Sequence, residues 1–211
     1  MTSAETSATD LGVRHRPVQA RGRVRFDAIL HAARDLLAEG GMAAFTVEDV
    51  ATRAGIPVGS IYQFFPNKYA IVAELDARDT AALVDDLIDN ADRFPNDDWQ
   101  NQTDELIDLV AAHWVDDPTR RAIWLAMRST AATRTLAAEH SRALVSVLLP
   151  MIARLARDHT FDEQVTISEV VVEMCQSLLH FSVSDGRPNP ATVHELKRML
   201  RAYLRAVSLS S

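Results

Sequence analysis

The short polar side chains of residues 58–68 are spaced so that one face of a helix can form hydrogen bonds. Three apolar residues recur at intervals that predict a short helix with its apolar side inward, namely Ile61, Phe64 and Phe65. The opposite face then carries small neutral groups, which are Gly59, Ser60, Tyr62 and Gln63. Hydroxyls can bind phosphate oxygens, an amide can read base edges, and glycine permits close approach. This face therefore predicts a surface suited to a nucleic-acid major groove.

The segment before this helix predicts a second helix and a tight turn. Thr46 is a suitable N-cap, and Asp49 can return a hydrogen bond from three residues further on. Gly55 can adopt the positive φ that ends a helix, and Pro57 opens the next segment. Residues 46–68 therefore predict a helix-turn-helix.

A phosphate clamp is predicted where the next helix begins. Pro66 stops the second helix, and Asn67 can cap the one that follows. The free backbone amides of that first turn, together with Lys68, are placed to hold a phosphate.

These residues carry a family resemblance. The run Gly59-Ser-Ile-Tyr-Gln-Phe-Phe-Pro-Asn-Lys68, preceded by Thr46-Val-Glu-Asp-Val-Ala-Thr-Arg-Ala-Gly55, resembles the DNA-binding signature of TetR-type transcriptional regulators. The resemblance covers roughly residues 24–72 and includes an upstream amphipathic helix from Val24 to Glu39. It implies a nine-helix fold with an N-terminal DNA-binding domain and a C-terminal ligand-binding and dimerisation domain.

The resemblance also assigns contacts on this motif. We expect phosphate contacts from Thr46, Ser60, Tyr62 and Lys68, and positions nearest the bases for Arg53, Val58, Gly59 and Gln63.

A cluster of arginines precedes the first predicted helix. Five arginines fall within twelve residues that contain no acid, namely Arg14, Arg16, Arg21, Arg23 and Arg25. Residues 1–22 lack apolar periodicity, so we expect a flexible basic arm. One interpretation is a solvated tail, and the other is an arm that enters the minor groove, chiefly through Arg21 and Arg23.

The distribution of charge supports a nucleic-acid partner although the net charge is −7. Residues 11–70 hold eight Lys and Arg against five Asp and Glu, whereas residues 71–211 hold 14 against 22. The basic part of the chain therefore coincides with the predicted DNA-reading part.

The rest of the chain predicts an all-α protein of nine helices without strands. Beyond the motif we expect helices at 67–90, 99–115, 118–131, 134–157, 161–184 and 190–207, with loops at 93–98 and 185–190. Three parts follow: a flexible arm at 1–22, a helix-turn-helix domain at 23–70, and a ligand-binding and dimerisation domain at 71–211. The long helix from Asn67 connects the two domains, so a tilt of the ligand-binding domain would move the helix-turn-helix domain.

The last two predicted helices favour a homodimer. The final helix has an apolar stripe that includes Leu196, Met199 and Tyr203, and its predecessor is apolar on more than one face, including Val170 and Phe181. Two copies of the pair would form a four-helix interface with two-fold symmetry. The alternative is that both faces are buried within one subunit.

An effector pocket is expected in the middle and late helices. Aromatic, thioether and imidazole side chains there could line it, namely His113, Trp114, Trp124, Met127, Met151, Phe161, Met174, Cys175 and His180. For each residue alone, ordinary core packing is the simpler interpretation. The resemblance implies a small hydrophobic or amphipathic effector.

Catalysis, metal binding and cofactor binding are not predicted. His113 with Asp116 and Asp117 could form a metal site on paper, and Cys175 with His180 a thiol-imidazole pair. A separation of five positions places Cys175 and His180 at different helix angles, and no phosphate loop or nucleophile elbow occurs. A helical enzyme and a ligand-sequestering protein without DNA binding remain as rivals.

Composition predicts a cytoplasmic protein without a membrane span. The N-terminus lacks the features of a signal peptide, and a single cysteine excludes an internal disulfide framework. We therefore expect a homodimeric regulator, with repression as the first interpretation and activation as a variant, that occupies a palindromic DNA operator and leaves it on binding a small effector.

Overall fold

The computed structural model describes residues 10–42, 45–91, 98–183 and 189–209. These residues form nine α-helices and no strand. The helices are α1 (Ala20–Gly40), α2 (Val47–Ala54), α3 (Val58–Phe64), α4 (Lys68–Ala91), α5 (Trp99–Asp116), α6 (Pro118–Met127), α7 (Ala131–Leu155), α8 (Phe161–Ser182) and α9 (Pro190–Leu209). The all-α prediction is confirmed. Residues 1–9 of the predicted arm and most of the two predicted loops lie outside the described residues.

Short-range sequence signals account for the ends of the helices around α2. Thr46 and Asp49 form both hydrogen bonds of a capping box at the start of α2. Gly55 ends α2 with φ 65° and ψ 32°, a left-handed conformation that favours glycine. The Asn67 side chain accepts from the amide of Ala70 at 3.0 Å and so caps α4. All three features were predicted from the sequence.

One compact unit comprises residues 1–79 and 119–139. Phe26 of α1 contacts both aromatic residues at the end of α3, with ring centroids 5.5 Å from Phe64 and 4.9 Å from Phe65. Phe45 is fully buried in the same core. Three residues of α6 are buried in the same core, namely Ile123, Ala126 and Met127. The compact unit is thus larger than residues 23–70, because the apolar side of α6 packs in the same core.

Residues 10–19, here called the N-terminal segment, lie within the range expected to be a flexible arm and contact the rest of the first unit. The backbone amide of Arg14 donates to the carbonyl of Phe64 at 2.8 Å, and Val13 packs against the core. Arg16 donates two hydrogen bonds to Glu74. These contacts join residues far apart in the sequence, so apolar periodicity did not reveal them.

The second compact unit comprises residues 80–118 and 140–211. Its α8 and α9 pack against each other and against α5. Leu83 and Leu87 of α4 share a core with Leu144, Val145 and Val172. Two ion pairs fasten α9 to α5, with Lys197 Nζ 2.5 Å from Asp108 Oδ1 and Arg201 Nη1 3.2 Å from Asp104 Oδ2.

The start of α7 was predicted three residues too late. The helix was expected to begin at residue 134, but Thr130 and Thr133 exchange backbone-to-hydroxyl hydrogen bonds of 3.2 and 3.1 Å, and the helix starts at Ala131. Thr133 therefore serves as the third helical residue of a reciprocal cap, a position where Glu or Gln is the usual signal.

By length and composition alone, α7 is long and apolar enough to cross a membrane. Only 22% of its apolar 18-residue stretch is buried within the protein. This is weak evidence, because core helices of soluble proteins pass the same test. Within the second unit α7 contributes Leu144 and Val145 to the core.

Candidate nucleic-acid and effector sites

The outer face of α3 presents short neutral groups above a fully packed inner face. Ile61 and Phe65 are completely buried and Phe64 is nearly so. Gly59, Tyr62 and Gln63 are exposed, and Val58 and Ser60 are half-buried. A Cβ built on Gly59 would meet no atom within 4 Å, so the space beside it is open. The predicted division is confirmed for the three inward residues and for Gly59, Tyr62 and Gln63, whereas Ser60 is half-buried.

Thr46, predicted to contact a phosphate, forms the hydrogen bonds of the capping box with its hydroxyl. Its hydroxyl lies 2.7 Å from Asp49 Oδ2 and accepts from the amide of Asp49 at 3.2 Å. Hydrogen bonds from the side chain and amide of Thr46 lower the pKa of Asp49. The structure thus gives Thr46 the role of starting α2, and a phosphate contact from it stays a prediction.

Lys68, the second predicted phosphate ligand, anchors the loop that precedes α2. Its ammonium donates to the carbonyls of Met42 and Phe45, each at 3.2 Å. It also lies 5.7 Å from the centroid of the Phe45 ring and 5.9 Å from that of Tyr69. An ammonium has three N–H donors, so these two bonds leave one for a phosphate.

Arg53, predicted to lie near the bases, is paired with Glu39 at the end of α1. Two hydrogen bonds of 2.9 and 2.8 Å join the guanidinium to the carboxylate. The Arg53 side chain lowers the pKa of Glu39, chiefly by hydrogen bonding, and the same bond raises the pKa of Arg53. Both residues are exposed, so a phosphate could replace Glu39 as the partner.

The two arginines assigned to a minor-groove arm lie in the first turn of α1. Arg21 and Arg23 are both exposed. The Arg23 guanidinium donates to the carbonyl of Val18 at 2.8 Å. Both therefore extend from a helix. That helix begins at Ala20, within the arm expected at residues 1–22.

Comparison with known proteins agrees with this architecture. Residues 29–75 match the family model for bacterial regulatory proteins of the tetR family, and residues 97–207 match the tetracyclin repressor-like C-terminal domain. The second match alone spans more than half of the 211 residues. The chain belongs to the TetR family. It is therefore a TetR-family transcriptional regulator with a helix-turn-helix domain.

Several relatives are similar to this TetR-family chain. The HTH-type transcriptional regulator YdeS of Bacillus subtilis is 31% identical over 110 residues, which cover 46% of this chain and 56% of YdeS. A TetR-family regulator from Streptomyces coelicolor is 25% identical, with a TM-score of 0.66 over 89% of this chain and 99% of that one. The FadR proteins of Bacillus halodurans and Bacillus subtilis share the fold at 19% and 15% identity. Their TM-scores are 0.70 and 0.68, covering 83% and 87% of this chain and 94% and 97% of theirs.

The residues predicted to line an effector pocket are divided between the two compact units. Trp124 and Met127 belong to the first unit, where Met127 is fully buried in the core and Arg128 stacks on Trp124, 3.6 Å from its centroid. Packing in that core accounts for Met127. Phe161, also predicted to line the pocket, is 66% exposed at the first turn of α8, and its place in a pocket stays a prediction.

The second unit contains the other six predicted residues, His113, Trp114, Met151, Met174, Cys175 and His180. His113 Nε2 lies 2.7 Å from Asp86 Oδ2, and the Trp114 and His180 rings meet edge to face at 6.3 Å. Met151 is buried, and Met174 is half-buried. The His113–Asp86 pair therefore provides a polar group within the second unit. Sequence reasoning missed Asp86 as a partner, because the two residues lie 27 positions apart.

Cys175 and His180 do not form a reactive pair of the type considered from the sequence. Burial raises the pKa of the Cys175 thiol to about 12, although part of the residue remains exposed. A thiol with that pKa is protonated at neutral pH and is a poor nucleophile. The His180 ring instead meets the Trp114 ring edge to face.

Proposed function

We propose that this TetR-family chain is a repressor that binds a palindromic DNA operator as a homodimer and is released by a small hydrophobic or amphipathic effector. The observation that carries the proposal is the outer face of α3. It is exposed, uncharged and opened by Gly59, and its buried side fixes it to a packed core. Such a face allows close approach to a major groove and leaves base selection to hydrogen bonds.

The proposed DNA contacts keep the assignments made from the sequence. Gln63 lies nearest the bases with Val58, Gly59 and Arg53, while Ser60 and Tyr62 contact phosphates. Gln63 and Tyr62 are both exposed, which leaves each accessible to DNA. Arg53 exchanges Glu39 for DNA, and Lys68 uses its remaining donor for a phosphate.

Exposed apolar residues on α8 and α9 support the proposed dimer. Leu196, Leu200 and Leu204 of α9 are buried within the chain, whereas Met199 is 47% exposed. On α8, Val170 and Phe181 are likewise exposed, Phe181 at 61%. Large apolar side chains left outside the core favour a protein interface. A two-fold dimer would present two copies of α3 to half-sites about one helical turn apart.

The second unit supplies the proposed effector site. His113, held by Asp86 at 2.7 Å, offers a polar contact, and Trp114 with Met174 offers apolar surface. The FadR structure of Bacillus subtilis contains stearoyl-CoA. Since 15% identity transfers only the fold, stearoyl-CoA serves as one probe among hydrophobic and amphipathic compounds.

Release requires that the effector distinguish two arrangements of the dimer. The helix α4 runs from the first unit, which carries α3, into the second. An effector that binds more tightly to an arrangement with the wrong half-site spacing lowers operator affinity by that difference in binding free energy. In this proposal the protein acts in the cytoplasm and needs no catalytic residue, metal or membrane.

A second candidate function is a helical protein that sequesters small molecules without binding DNA. It is the weaker candidate because it gives the exposed face of α3 no role. The discriminating property is duplex affinity that falls as salt rises, which this rival lacks.

Selection of bound duplexes from a random DNA pool tests the proposal. We expect enrichment of a palindromic sequence with half-sites one helical turn, or a multiple of one, apart. Affinity for that duplex should fall linearly with salt on a logarithmic plot. Absence of any enriched sequence, with retained binding of small apolar ligands, would favour the sequestering protein.

A further inference from the structure

We propose that the N-terminal segment is a strap that holds the recognition helix α3 in its DNA-reading position. In this proposal Arg14 and Arg16 are positioning residues that act through the protein's own groups and do not contact phosphates. The inference rests on the proposed DNA-binding function and adds residues to it that the helix-turn-helix itself does not contain.

The carboxyl end of α3 is bonded by Arg14. The last carbonyls of any helix lack partners within the helix. Here the backbone amide of Arg14 donates to the Phe64 carbonyl at 2.8 Å, and its guanidinium donates to the Tyr62 carbonyl at 3.2 Å. The positive side chain also lies at the negative end of the helix dipole.

A helix as short as α3 needs such support. It has seven residues and no side-chain hydrogen bond at its N-cap. Isolated helices shorter than about 12 residues are marginal in water, so tertiary contacts must hold α3. The buried Ile61 and Phe64 supply contacts on one side, and Arg14 supplies them at the end.

Arg16 fastens the segment to α4 through a buried carboxylate. Its guanidinium donates to both oxygens of Glu74, at 3.0 and 2.7 Å. The Glu74 side chain is only 4% exposed, whereas that of Arg16 is 68% exposed. A buried carboxylate needs charged or hydrogen-bonding partners, and Arg78 provides another bond at 3.3 Å. Arg16 is thus committed to Glu74 and is not a free cation for DNA.

The fold of the segment depends on a glycine in α1. A Cβ added at Gly22 would lie 2.9 Å from Pro17 Cβ, closer than side chains approach. Val13 packs against the core, and the Asp10 carbonyl accepts from Asn67 at 2.9 Å. Residues along the whole segment therefore contact α1, α3 or the turn before α4.

Amide hydrogen exchange of the full-length protein without DNA tests the hold on α3. Arg14→Ala keeps the backbone amide and removes the guanidinium bond. We expect amides of residues 61–65 to exchange about 2- to 10-fold faster, while amides of α9 stay unchanged. Equal exchange in variant and wild type would overturn the strap.

A double-mutant cycle in DNA binding tests how Arg16 acts, using the duplex that the wild-type chain selects from a random pool. Arg16→Gln should weaken binding about 2- to 10-fold and leave the salt slope unchanged. In a Glu74→Gln background the same change should add less than about twofold, because its partner is already lost. Arg154→Gln, an exposed arginine on α7, is the charge-matched control and should leave affinity as in the wild type.

The opposite pattern would identify a phosphate contact. A salt slope reduced by about one, with the same loss in both backgrounds, would overturn the positioning role. If the wild-type chain selected no duplex, the proposed function would fail, and hydrogen exchange would still decide whether the segment holds α3.

Hydrogen exchange of Gly22→Ala separates the effect of helix propensity from that of the strap, because the two predict opposite changes. Alanine is the better helix former, so propensity alone predicts slower exchange in the first turns of α1. The strap predicts displacement of Pro17 and faster exchange at residues 61–65, as in Arg14→Ala. Slower or unchanged exchange at residues 61–65 would contradict it.

Discussion

At the scale of single residues, the outer face of α3 carries neutral hydrogen-bonding groups, and the two cations predicted to contact DNA beside it, Arg53 and Lys68, are hydrogen-bonded within the protein. Gln63 and Tyr62 are exposed on α3, whereas Arg53 is held by Glu39 and Lys68 by backbone carbonyls. Charge would attract any duplex, but hydrogen bonds to base edges can select one sequence. The pairing of Arg53 with the Glu39 carboxylate therefore reduces the positive charge that would attract any duplex near the proposed reading face.

Removal of Glu39 should strengthen DNA binding. Glu39→Gln removes a negative charge beside the proposed interface and leaves Arg53 one neutral amide oxygen in place of the two carboxylate oxygens that now accept from it. We expect affinity for the selected duplex to rise by up to about fivefold, with a steeper salt dependence, in fluorescence anisotropy titrations. Asp158→Asn, at an exposed site beyond α7, is the charge-matched control. Unchanged or weaker binding by Glu39→Gln would show that Arg53 does not gain a DNA contact.

At the scale of helices, the reciprocal cap formed by Thr46 and Asp49 fixes where α2, the first helix of the helix-turn-helix, begins. Thr46→Ala removes the hydroxyl that accepts from the Asp49 amide at 3.2 Å. We expect a loss of about 1 kcal/mol in the free energy of unfolding, measured by urea denaturation. Thr46→Ser keeps the hydroxyl and should be close to the wild type. Equal stability of the alanine and serine variants would exclude this role for the cap.

A second capping box, at the start of α8, should contribute to acid sensitivity. Hydrogen bonds from the Thr160 amide and hydroxyl lower the pKa of Glu163 from its ordinary 4.5. A lowered pKa means that the ionised carboxylate stabilises the fold above 4.5 and that this stability is lost as pH falls through the folded-state pKa.

Glu163→Gln removes this titration and keeps an oxygen that can accept the bond. We expect the stability advantage of the wild type over the variant to shrink as pH falls below 4.5, in urea denaturation across a pH series. Asp162→Asn, in the same first turn, controls for the charge near the helix N-terminus. A pH-independent difference would contradict the assignment.

The helices and caps were largely predictable because their signals are local. Thr46 with Asp49, Gly55 and Asn67 act within four residues, and each has the predicted role. The N-terminal segment was not predictable in this way. Arg16 lies 58 positions from Glu74, and an exposed arginine in a polar stretch carries no sign of a buried partner. The packing of α6 with the first unit likewise depends on contacts between residues distant in the sequence.

At the scale of the whole molecule, the proposal requires two copies of the chain. Each copy contributes one α3, and a two-fold axis sets the distance between them. The exposed Phe181 on α8 and Met199 on α9 are the residues that we assign to the shared interface.

A charge placed in that interface should separate the subunits. Phe181→Glu buries a carboxylate in the proposed dimer, so we expect a monomer in sedimentation equilibrium and loss of binding to the full palindrome. Phe161→Glu makes the same change at a residue that is 66% exposed at the start of α8, and it should stay dimeric. A strictly monomeric wild type, or a Phe181→Glu variant that remains a dimer, would exclude this interface.

The most direct test of the proposed function is a repeated DNA selection with Gln63→Ala. If α3 reads bases from two symmetric copies, preference should relax at one position in each half-site, costing about 1 to 3 kcal/mol there. Preferences elsewhere in the palindrome should match those of the wild type. Selection of an unchanged sequence by Gln63→Ala would contradict recognition through the outer face of α3.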